Sequence, residues 1–284
     1  MNKPFPSWLR KKLPNYQEQQ KTISILNKYN LFTVCTSAKC PNMGECFSKS
    51  ILTVLILGNI CTRNCRFCAI ETGILQKPDS TEPLKVAQLI KELNLKYAVI
   101  TSVTRDDLID GGAEHFALVI KEIRTLIPEV KIEVLTPDFE GKKESIKIVI
   151  KAKPDVFAHN IETVPSLYEK VRPKANYERS LKLLEMIKQE NSFLYTKSGI
   201  MLGLGEKENE VIQIMEDLIK AGCDILTIGQ YLSPSKNHLK VEEYIHPEKF
   251  EYYKKIAQEM GFFYVMSGPF VRSSFHANMI FEKN

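Results

Sequence analysis

The sequence predicts a parallel α/β protein of the barrel type, in which six βα units form a partial (β/α)6 barrel. Three observations support this fold class. Short apolar runs rich in Val and Ile alternate with amphipathic helical stretches from residue 51 onward. The 284 residues are enough for one large domain or two small ones. No GxGxxG or P-loop pattern opens a helix, which disfavours the two nucleotide-binding folds that carry them.

The strands and helices of this barrel are predicted from hydrophobic periodicity. Strands are expected at 51–58, 97–103, 131–135, 156–159, 195–202, 224–229 and 262–266. Helices are expected at 86–93, 116–127, 144–152, 179–189, 209–220 and 247–260, and one more near 16–27. Residues 1–50 then form an N-terminal extension, 51–267 the barrel and 268–284 a C-terminal segment. We expect the two extensions to cover the open side of the barrel.

Composition excludes several classes of function. Apolar residues make up 44% and charged residues 26%, as in a globular protein. The longest apolar stretch is about half of the ~20 residues that a membrane span needs, so no membrane partner is expected. No secretion signal opens the chain, and a cytoplasmic location is predicted. The net charge of +5 is too small and too dispersed to indicate a nucleic-acid partner.

Cysteine placement is the strongest functional signal. Six of the seven cysteines lie between positions 35 and 68, and Cys223 stands alone. In a chain without a secretion signal, such a cluster indicates metal binding before disulfides. Cys223 is expected to be a small core residue.

The sharper group is Cys61-x3-Cys65-x2-Cys68, directly after the first predicted strand, where barrel enzymes build their sites. Three thiolates on a short loop can hold one face of a [4Fe–4S] cluster and leave the fourth iron open to a small molecule. Zinc is the alternative, although no His lies nearby to complete a four-ligand site. Buried structural cysteines are a third interpretation.

The other group, Cys35-x4-Cys40-x5-Cys46, lies in the N-terminal extension and also offers three thiolates. Either a second cluster or a structural zinc ion fits these residues alone.

Together these motifs resemble a known family. Cys61-x3-Cys65-x2-Cys68 with Phe67 is similar to the signature of radical S-adenosylmethionine (SAM) enzymes. The upstream triplet, combined with Arg272-Ser273-Ser274-Phe275, resembles the lipoyl synthases within that superfamily. The likeness runs through almost the whole chain and includes Trp8-Leu9-Arg10, Leu135-Thr136-Pro137-Asp138-Phe139, His159-Asn160-Ile161-Glu162-Thr163 and Lys197-Ser198-Gly199. The family usually has tyrosine where this chain has Phe275, so no phenolic hydroxyl acts there.

The resemblance implies a reaction. SAM would chelate the open iron of the Cys61, Cys65 and Cys68 cluster, and an external electron would cleave it to a 5′-deoxyadenosyl radical. Sulfur would be inserted at C6 and C8 of an octanoyl group amide-linked to a carrier lysine, giving the (dihydro)lipoyl group. Those carbons have no acidic proton for a general base to remove, so cofactor radical chemistry is needed. The second cluster would donate the sulfur.

The resemblance also implies ligands and partners. Ser274 would be the fourth ligand of the second cluster. Octanoylated lipoyl carrier domains would be the substrates, namely the E2 subunits of 2-oxoacid dehydrogenases and the glycine cleavage H protein. A ferredoxin- or flavodoxin-type protein would donate electrons, and an iron–sulfur carrier would rebuild the consumed cluster.

Polar residues after two predicted strands are candidates for binding SAM, because ligands bind at this end of a barrel. Asn160 and Glu162 follow one strand, and Thr136 and Asp138 follow another. Each pair could equally be loop structure or a helix cap. Arg105, Asp106 and Asp107 could be ligand contacts or a charge network that orders a loop, and the charge network is the favoured interpretation. His115 is expected at the surface or as a cap, as are His238 and His246.

Two other functions remain open on the residues alone. One is a different sulfur-inserting or methylthio-transferring radical SAM enzyme with a small-molecule or RNA substrate. The other is a zinc-stabilised binding module without catalysis, which would be colourless and contain zinc in place of iron and sulfide.

Overall fold

A single curved sheet forms the centre of the molecule. The computed structural model describes residues 5–10, 16–49, 51–275 and 277–281. Within them the strands are β1 Phe32–Thr33, β2 Thr53–Ile56, β3 Tyr97–Ser102, β4 Lys131–Leu135, β5 Val156–Ala158, β6 Tyr195–Leu202, β7 Ile225–Gln230 and β8 Tyr264–Gly268. They pair in chain order, β1 antiparallel to β2 and all later neighbours parallel. The sheet does not close on itself, so the structure is a partial barrel.

Helices cover the outer face of this sheet. The described helices are α1 Tyr16–Tyr29, α2 Val34–Ser37, α3 Met43–Ser48, α4 Glu82–Glu92, α5 Ala113–Leu126, α6 Lys143–Lys151, α7 Tyr168–Val171, α8 Tyr177–Glu190, α9 Glu208–Lys220 and α10 Pro247–Glu259. Their apolar stripes and the outward side chains of the strands form the main core. α4 and α10 have a proline in the first turn, where its missing N–H costs nothing.

The inner face of the sheet changes in character from one end to the other. Strand register places large side chains on this face near the amino ends of the strands, namely Tyr97, Glu133, Tyr195, Lys197 and Tyr264. Near the carboxyl ends several inward positions are small, namely Thr101, Ala158, Gly199, Thr227 and Gly229, although Leu135, Met201 and Met266 on the same face are larger. The barrel is therefore filled at its amino end, and the small positions leave room at its carboxyl end.

The chain after β8 runs along this inner face. The Val271 carbonyl lies so close to Gly229 that a Cβ there would stand 2.2 Å from it. A short 3₁₀ helix, Ala277–Phe281, then reaches the amino ends of the strands. There the Phe281 ring lies 5.9 Å from that of Tyr97, measured between centroids. This C-terminal segment therefore passes from the carboxyl end of the barrel to its amino end.

The N-terminal extension packs on the rest of the chain. Trp8 lies edge-on to His246, with ring centroids 5.0 Å apart. In α1, Thr22 donates to the Phe47 carbonyl at 2.7 Å, and Phe47 is fully buried in the main core. β1 adds an antiparallel edge to β2.

The predicted fold is confirmed. All seven predicted strands are present, with bounds that differ by no more than two residues, and six βα units precede β8. β1 was not predicted, because a two-residue strand has no periodicity to detect. The domain bounds remain a prediction, and residues 1–4, 11–15, 50, 276 and 282–284 lie outside the described part. Among the described helices, none is both long and apolar enough to cross a bilayer.

Candidate active site

The second cysteine triplet in chain order, Cys61, Cys65 and Cys68, lies at the carboxyl end of β2, where the barrel has room. The chain leaves the strand through Leu57, whose φ of 65° is left-handed, and Gly58. Buried groups hold this turn: Glu82 accepts from the Leu57 amide at 2.8 Å, and His115 Nε2 lies 2.6 Å from the same Glu82 oxygen. The expectation that His115 is a surface or capping residue is wrong, because it pairs with Glu82 in the core.

Backbone groups surround the Cys61 sulfur. The amides of Arg63 and Thr104 donate to it at 3.4 and 3.3 Å. The Cys61 amide in turn donates to the Glu71 carbonyl at 2.9 Å and closes the base of the loop. N–H groups directed at sulfur stabilise a thiolate, so this environment suits a metal-bound cysteine.

Cys65 and Cys68 are less exposed to water. Burial raises the pKa of the Cys68 thiol to about 12, and the neighbouring Cys65 and Cys61 thiols act in the same direction. Burial also raises the pKa of Cys65, although the Arg172 guanidinium opposes this. The three sulfurs thus lie close enough to interact, and they need a cationic partner to exist as thiolates.

A buried arginine fixes the cysteine loop from inside. Arg63 donates to both Asp106 oxygens at 2.9 and 2.8 Å and to Asp138 at 2.6 Å. Arg179 donates to the other Asp138 oxygen at 2.8 Å. Burial acts to raise the pKa of the Asp138 carboxyl, but Arg63 outweighs it and holds that pKa well below its ordinary value.

Arg105 and Asp107 form the charge pair that the sequence predicts. Arg105 donates to both carboxylate oxygens of Asp107 at 2.9 and 2.8 Å and also reaches the Leu57 carbonyl at 3.4 Å. With Asp106 bound to Arg63, all three charges order loops around the cysteines, as expected.

The first triplet in chain order, Cys35, Cys40 and Cys46, is positioned by the two short helices α2 and α3. Thr33 caps α2, which carries the buried Cys35, and the Cys40 amide donates to the Cys35 carbonyl at 3.0 Å. Burial raises the pKa of the Cys35 thiol to about 12, with Cys40 and Cys46 contributing as neighbours. The three thiols of this group therefore also lie close enough to act on one another electrostatically.

The C-terminal segment reaches both triplets. Ser274 Oγ accepts from Thr53 Oγ at 2.7 Å, and the Thr53 backbone lies against the Cys35 thiol. One residue earlier, Ser273 Oγ lies 3.3 Å from Asn160 Oδ1. Residues 270–275 thus lie between the first triplet and the loop after β5.

Glu162 is a buried carboxyl group whose charge acts on the second triplet. It interacts with Cys65 and Cys68, and Asn160 Nδ2 donates to its Oε1 at 3.0 Å. Burial raises the pKa of Glu162, while Arg172 and Asn160 oppose the shift. Its φ of 71° is left-handed, and backbone strain of this kind collects at functional sites.

The other two predicted SAM contacts differ from each other. Thr136 Oγ1 is buried and has no hydrogen-bond partner among the described residues, so it can donate to a ligand. Asp138 is 1% exposed and holds Arg63 and Arg179. Asp138 is therefore connected to the cysteine loop through Arg63.

Two arginines in the site were not predicted. Arg172 Nη1 donates to the Asn160 carbonyl at 3.0 Å, and its charge acts on Cys65 and Glu162. Arg272 interacts with both Cys40 and Glu162. A single arginine has no spacing signature, although the position of Arg272 beside the predicted ligand Ser274 was a signal that could have identified it.

The arrangement fits clusters better than single ions. All seven cysteines are free thiols. Among the described residues, no three His, Cys, Asp or Glu side chains stand close enough together to bind one metal ion. Thiolates of a [4Fe–4S] cluster each bind a different iron, so they approach one another less closely than the ligands of one zinc ion. Three converging thiols with a nearby serine or carboxyl group fit such a cluster.

Comparison with known proteins identifies the class. The family model for the radical SAM superfamily matches residues 55–229. The fold is similar to that of Streptococcus suis SuiB bound to S-adenosylmethionine, with a TM-score of 0.60 and 13% identity over 79% of this chain and 53% of that one. Methylornithine synthase (PylB) gives a TM-score of 0.55 and 11% identity over 95% of this chain and 89% of that one. The chain is a member of the radical SAM superfamily.

Relatives in sequence narrow the family. The lipoyl synthase of Caldicellulosiruptor saccharolyticus is 54% identical over 272 residues, covering 96% of this chain and 95% of that protein. The lipoyl synthase of Caldanaerobacter subterraneus subsp. tengcongensis is 53% identical over 274 residues, covering 96% of each. This chain belongs to the lipoyl synthase family.

Proposed function

We propose that this chain inserts two sulfur atoms, at C6 and C8, into an octanoyl group amide-linked to a lysine of a lipoyl carrier protein. The product is the (dihydro)lipoyl group. Family membership supports the reaction. The observation that carries the proposal is the position of residues 270–275, which put Ser274 beside Thr53 near the first triplet and Ser273 beside Asn160 near the second.

Seven residues would hold the two [4Fe–4S] clusters. Cys61, Cys65 and Cys68 would hold the first and leave one iron for SAM, while Cys35, Cys40, Cys46 and Ser274 would hold the second. When bound, the first cluster and SAM supply radical chemistry at unactivated carbons, and the second cluster supplies sulfur. The serine oxygen is a harder ligand than thiolate, so this corner of the second cluster is the more labile one.

Protein groups around the second triplet, Cys61, Cys65 and Cys68, bind and orient SAM. The Glu162 carboxylate, buried beside Asn160, would accept hydrogen bonds from the SAM amino group or ribose. The unpartnered Thr136 hydroxyl would donate to it. Asp138 would contribute by holding Arg63, and with it the cysteine loop, in place. The C-terminal segment lies over the inner face of the barrel at Gly229 and borders the proposed site.

The reaction also needs partners. We propose the E2 subunits of 2-oxoacid dehydrogenases and the glycine cleavage H protein as carriers, and a ferredoxin- or flavodoxin-type protein as electron donor. An iron–sulfur carrier protein would rebuild the second cluster, since its sulfur is consumed. The seven free thiols support a reducing compartment, and we propose the cytoplasm.

Anaerobic turnover tests the function. Purified protein is mixed with an octanoyl-lysine peptide, SAM and dithionite, and the peptide is analysed by mass spectrometry. We expect two added sulfurs with wild type and with the matched control Cys223→Ala, which changes a buried cysteine remote from the site. Cys65→Ala should give none. Unmodified peptide from wild-type protein with a full complement of about eight irons would overturn the proposal.

A further inference from the structure

A pocket beside the second triplet, Cys61, Cys65 and Cys68, opens to solvent. This pocket of about 760 Å³ includes Cys65 and Cys68 in its lining, together with Lys39, which precedes Cys40 in the chain. Its far wall is Asn237–Leu239, part of the segment that follows β7. A substrate arm that must reach the space between the triplets can enter here.

The mouth of this pocket has a positively charged edge. Lys39 and Arg66 line it, and Lys236 and Lys240 flank the Asn237–Leu239 wall. We call these four residues the cationic rim. All four are exposed, and none forms an ion pair with another described residue. Among the residues that line the pocket, Glu71 is the acidic one.

The rim is held on a fixed frame. The Leu239 amide donates to the Arg66 carbonyl at 3.2 Å. His238 bridges the two sides as well, with Nε2 3.1 Å from the Cys68 carbonyl and Nδ1 2.8 Å from Ser235 Oγ. The segment after β7 is thus fastened to the cysteine loop, so the backbone that carries Lys236 and Lys240 is held beside the backbone that carries Arg66.

The charge of the rim does not match the arm that enters. An octanoyl chain in amide linkage to lysine is neutral throughout, so four cations at the mouth have nothing on it to recognise. Unpaired charges at the edge of an interface attract a partner of opposite sign and speed its encounter. The partner that brings the arm to the mouth is therefore the one the rim selects.

We infer that the cationic rim docks an acidic surface surrounding the octanoylated lysine of a folded carrier domain. This inference rests on the proposed function and names the feature of the carrier that the site recognises. An acidic electron donor is the competing occupant, and the test separates it from the carrier by using a chemical reductant.

The test compares charge reversal at the rim with charge reversal elsewhere. Lys236→Glu/Lys240→Glu changes rim residues that are not adjacent to any proposed ligand. Lys121→Glu/Lys182→Glu makes the same change in exposed lysines on the outer helices α5 and α8. Each variant is assayed anaerobically with SAM and dithionite on two substrates, an acidic octanoylated carrier domain and an uncharged octanoyl-lysine peptide.

For the rim variant we expect the half-saturating carrier concentration to rise about tenfold or more, with an unchanged maximal rate. Its peptide kinetics should equal those of wild type, and the control variant should match wild type on both substrates. Added salt should raise the half-saturating carrier concentration in wild type and have less effect on it in the rim variant.

Two results would overturn the inference. One is an unchanged half-saturating carrier concentration in the rim variant, which would leave the electron donor as the occupant. The other is an equal loss with the peptide, which would mean that the rim acts on octanoyl-lysine itself. Failure of the proposed function looks different, since wild type would then add sulfur to neither substrate.

Discussion

Ser274 is the residue on which the proposed cluster at Cys35, Cys40 and Cys46 depends most. Its hydroxyl comes to this first triplet from the far end of the chain, and it accepts a hydrogen bond from Thr53 at 2.7 Å. Three thiols alone leave one iron of a cluster without a protein ligand. The serine therefore decides whether that corner is fixed or open.

Replacing this serine should separate the two halves of the reaction. We expect Ser274→Ala to retain SAM cleavage, since Cys61, Cys65 and Cys68 are unchanged. Sulfur insertion should fall by about 10- to 100-fold. Measurement of methionine released and lipoyl peptide formed in one reaction checks this. Ser192→Ala, an exposed serine between α8 and β6, is the matched control. Full product formation by Ser274→Ala would contradict the assignment.

His159 gives a second residue-level prediction, on pH. Burial, with the charge of Arg172 in support, lowers the pKa of His159 to about 4 from its ordinary 6.5. The neutral ring lies 2.9 Å from both the Thr136 carbonyl and Ser180 Oγ. Unfolding lets the ring take up a proton between these values. The stabilisation by neutral His159 is complete above about pH 6.5 and is lost as the pH falls toward 4.

The measurement is a pair of denaturant titrations of the holoprotein. Between pH 6.5 and 5, His159 should account for a loss of about 2 kcal/mol in the free energy of unfolding. His159→Gln does not titrate, so its free energy of unfolding should fall by correspondingly less over the same interval. Equal pH slopes for the two proteins would show that folding does not lower the pKa of His159.

At the residue scale, the sequence predicted groups whose spacing is local. Cys61, Cys65 and Cys68 lie on one short loop, so their pattern alone indicates a shared metal centre. Ser274 came only from family resemblance, because its contact with Thr53 spans most of the chain. Arg172 had no signal at all, since a single arginine after a short helix is indistinguishable from surface charge.

The C-terminal segment brings Ser274 to the Cys35, Cys40 and Cys46 triplet. A glycine of β7 leaves room for the backbone of this segment. Gly229 lies on the inner face of β7, directly under the Val271 carbonyl. Its neighbour in register is Gly268 of β8, where a Cβ would meet only Val271 Cγ2 at 3.5 Å. These two glycines occupy equivalent positions and differ in what lies above them.

This pair provides a matched test. In Gly229→Ala the new Cβ would lie 2.2 Å from the Val271 carbonyl, so the backbone leading to Ser274 must move. We expect a loss of about 1–3 kcal/mol in stability and fewer sulfurs inserted per SAM cleaved. Gly268→Ala makes an ordinary contact and should change both quantities little. Thermal unfolding and product analysis check this, and equal behaviour of the two variants would contradict it.

At the element scale, periodicity predicted the six βα units well but not the buried polar pairs between elements. Glu82 and His115 occupy inward positions of α4 and α5, where an amphipathic pattern assigns apolar residues. Glu82 is needed there because of a third element, the turn at Leu57, whose amide donates a hydrogen bond to Glu82. A pattern read along one helix cannot show a partner on another.

Across the whole barrel, an ion pair spans the interior near the amino ends of the strands. Lys197 Nζ on β6 lies 2.9 Å from both Glu133 oxygens on β4, and Tyr97 donates to Glu133 at 2.6 Å. The side chains of Lys197 and Glu133 are 2% and 0% exposed. This pair lies between the open carboxyl end of the barrel and the Phe281 ring at its amino end.

Removing one partner should be costly. Lys197→Met leaves the Glu133 charge buried and unpaired, so we expect a loss of about 3–5 kcal/mol. Lys197→Met/Glu133→Gln removes both charges and keeps an acceptor for Tyr97, and it should recover at least half of that loss. Chemical unfolding of the three proteins checks this. A double variant no more stable than Lys197→Met would show that packing, and not charge, dominates there.

The path of the C-terminal segment along the inner face sets an order of assembly. Translation delivers all six clustered thiols early, whereas residues 269–281 leave the ribosome after every strand of the barrel. A nascent chain therefore presents the second cluster's thiols uncovered, and the serine arrives last. Delivery of iron and sulfide to that position would have a window before the segment takes its place, and the proposed rebuilding of the cluster would require the segment to move away again.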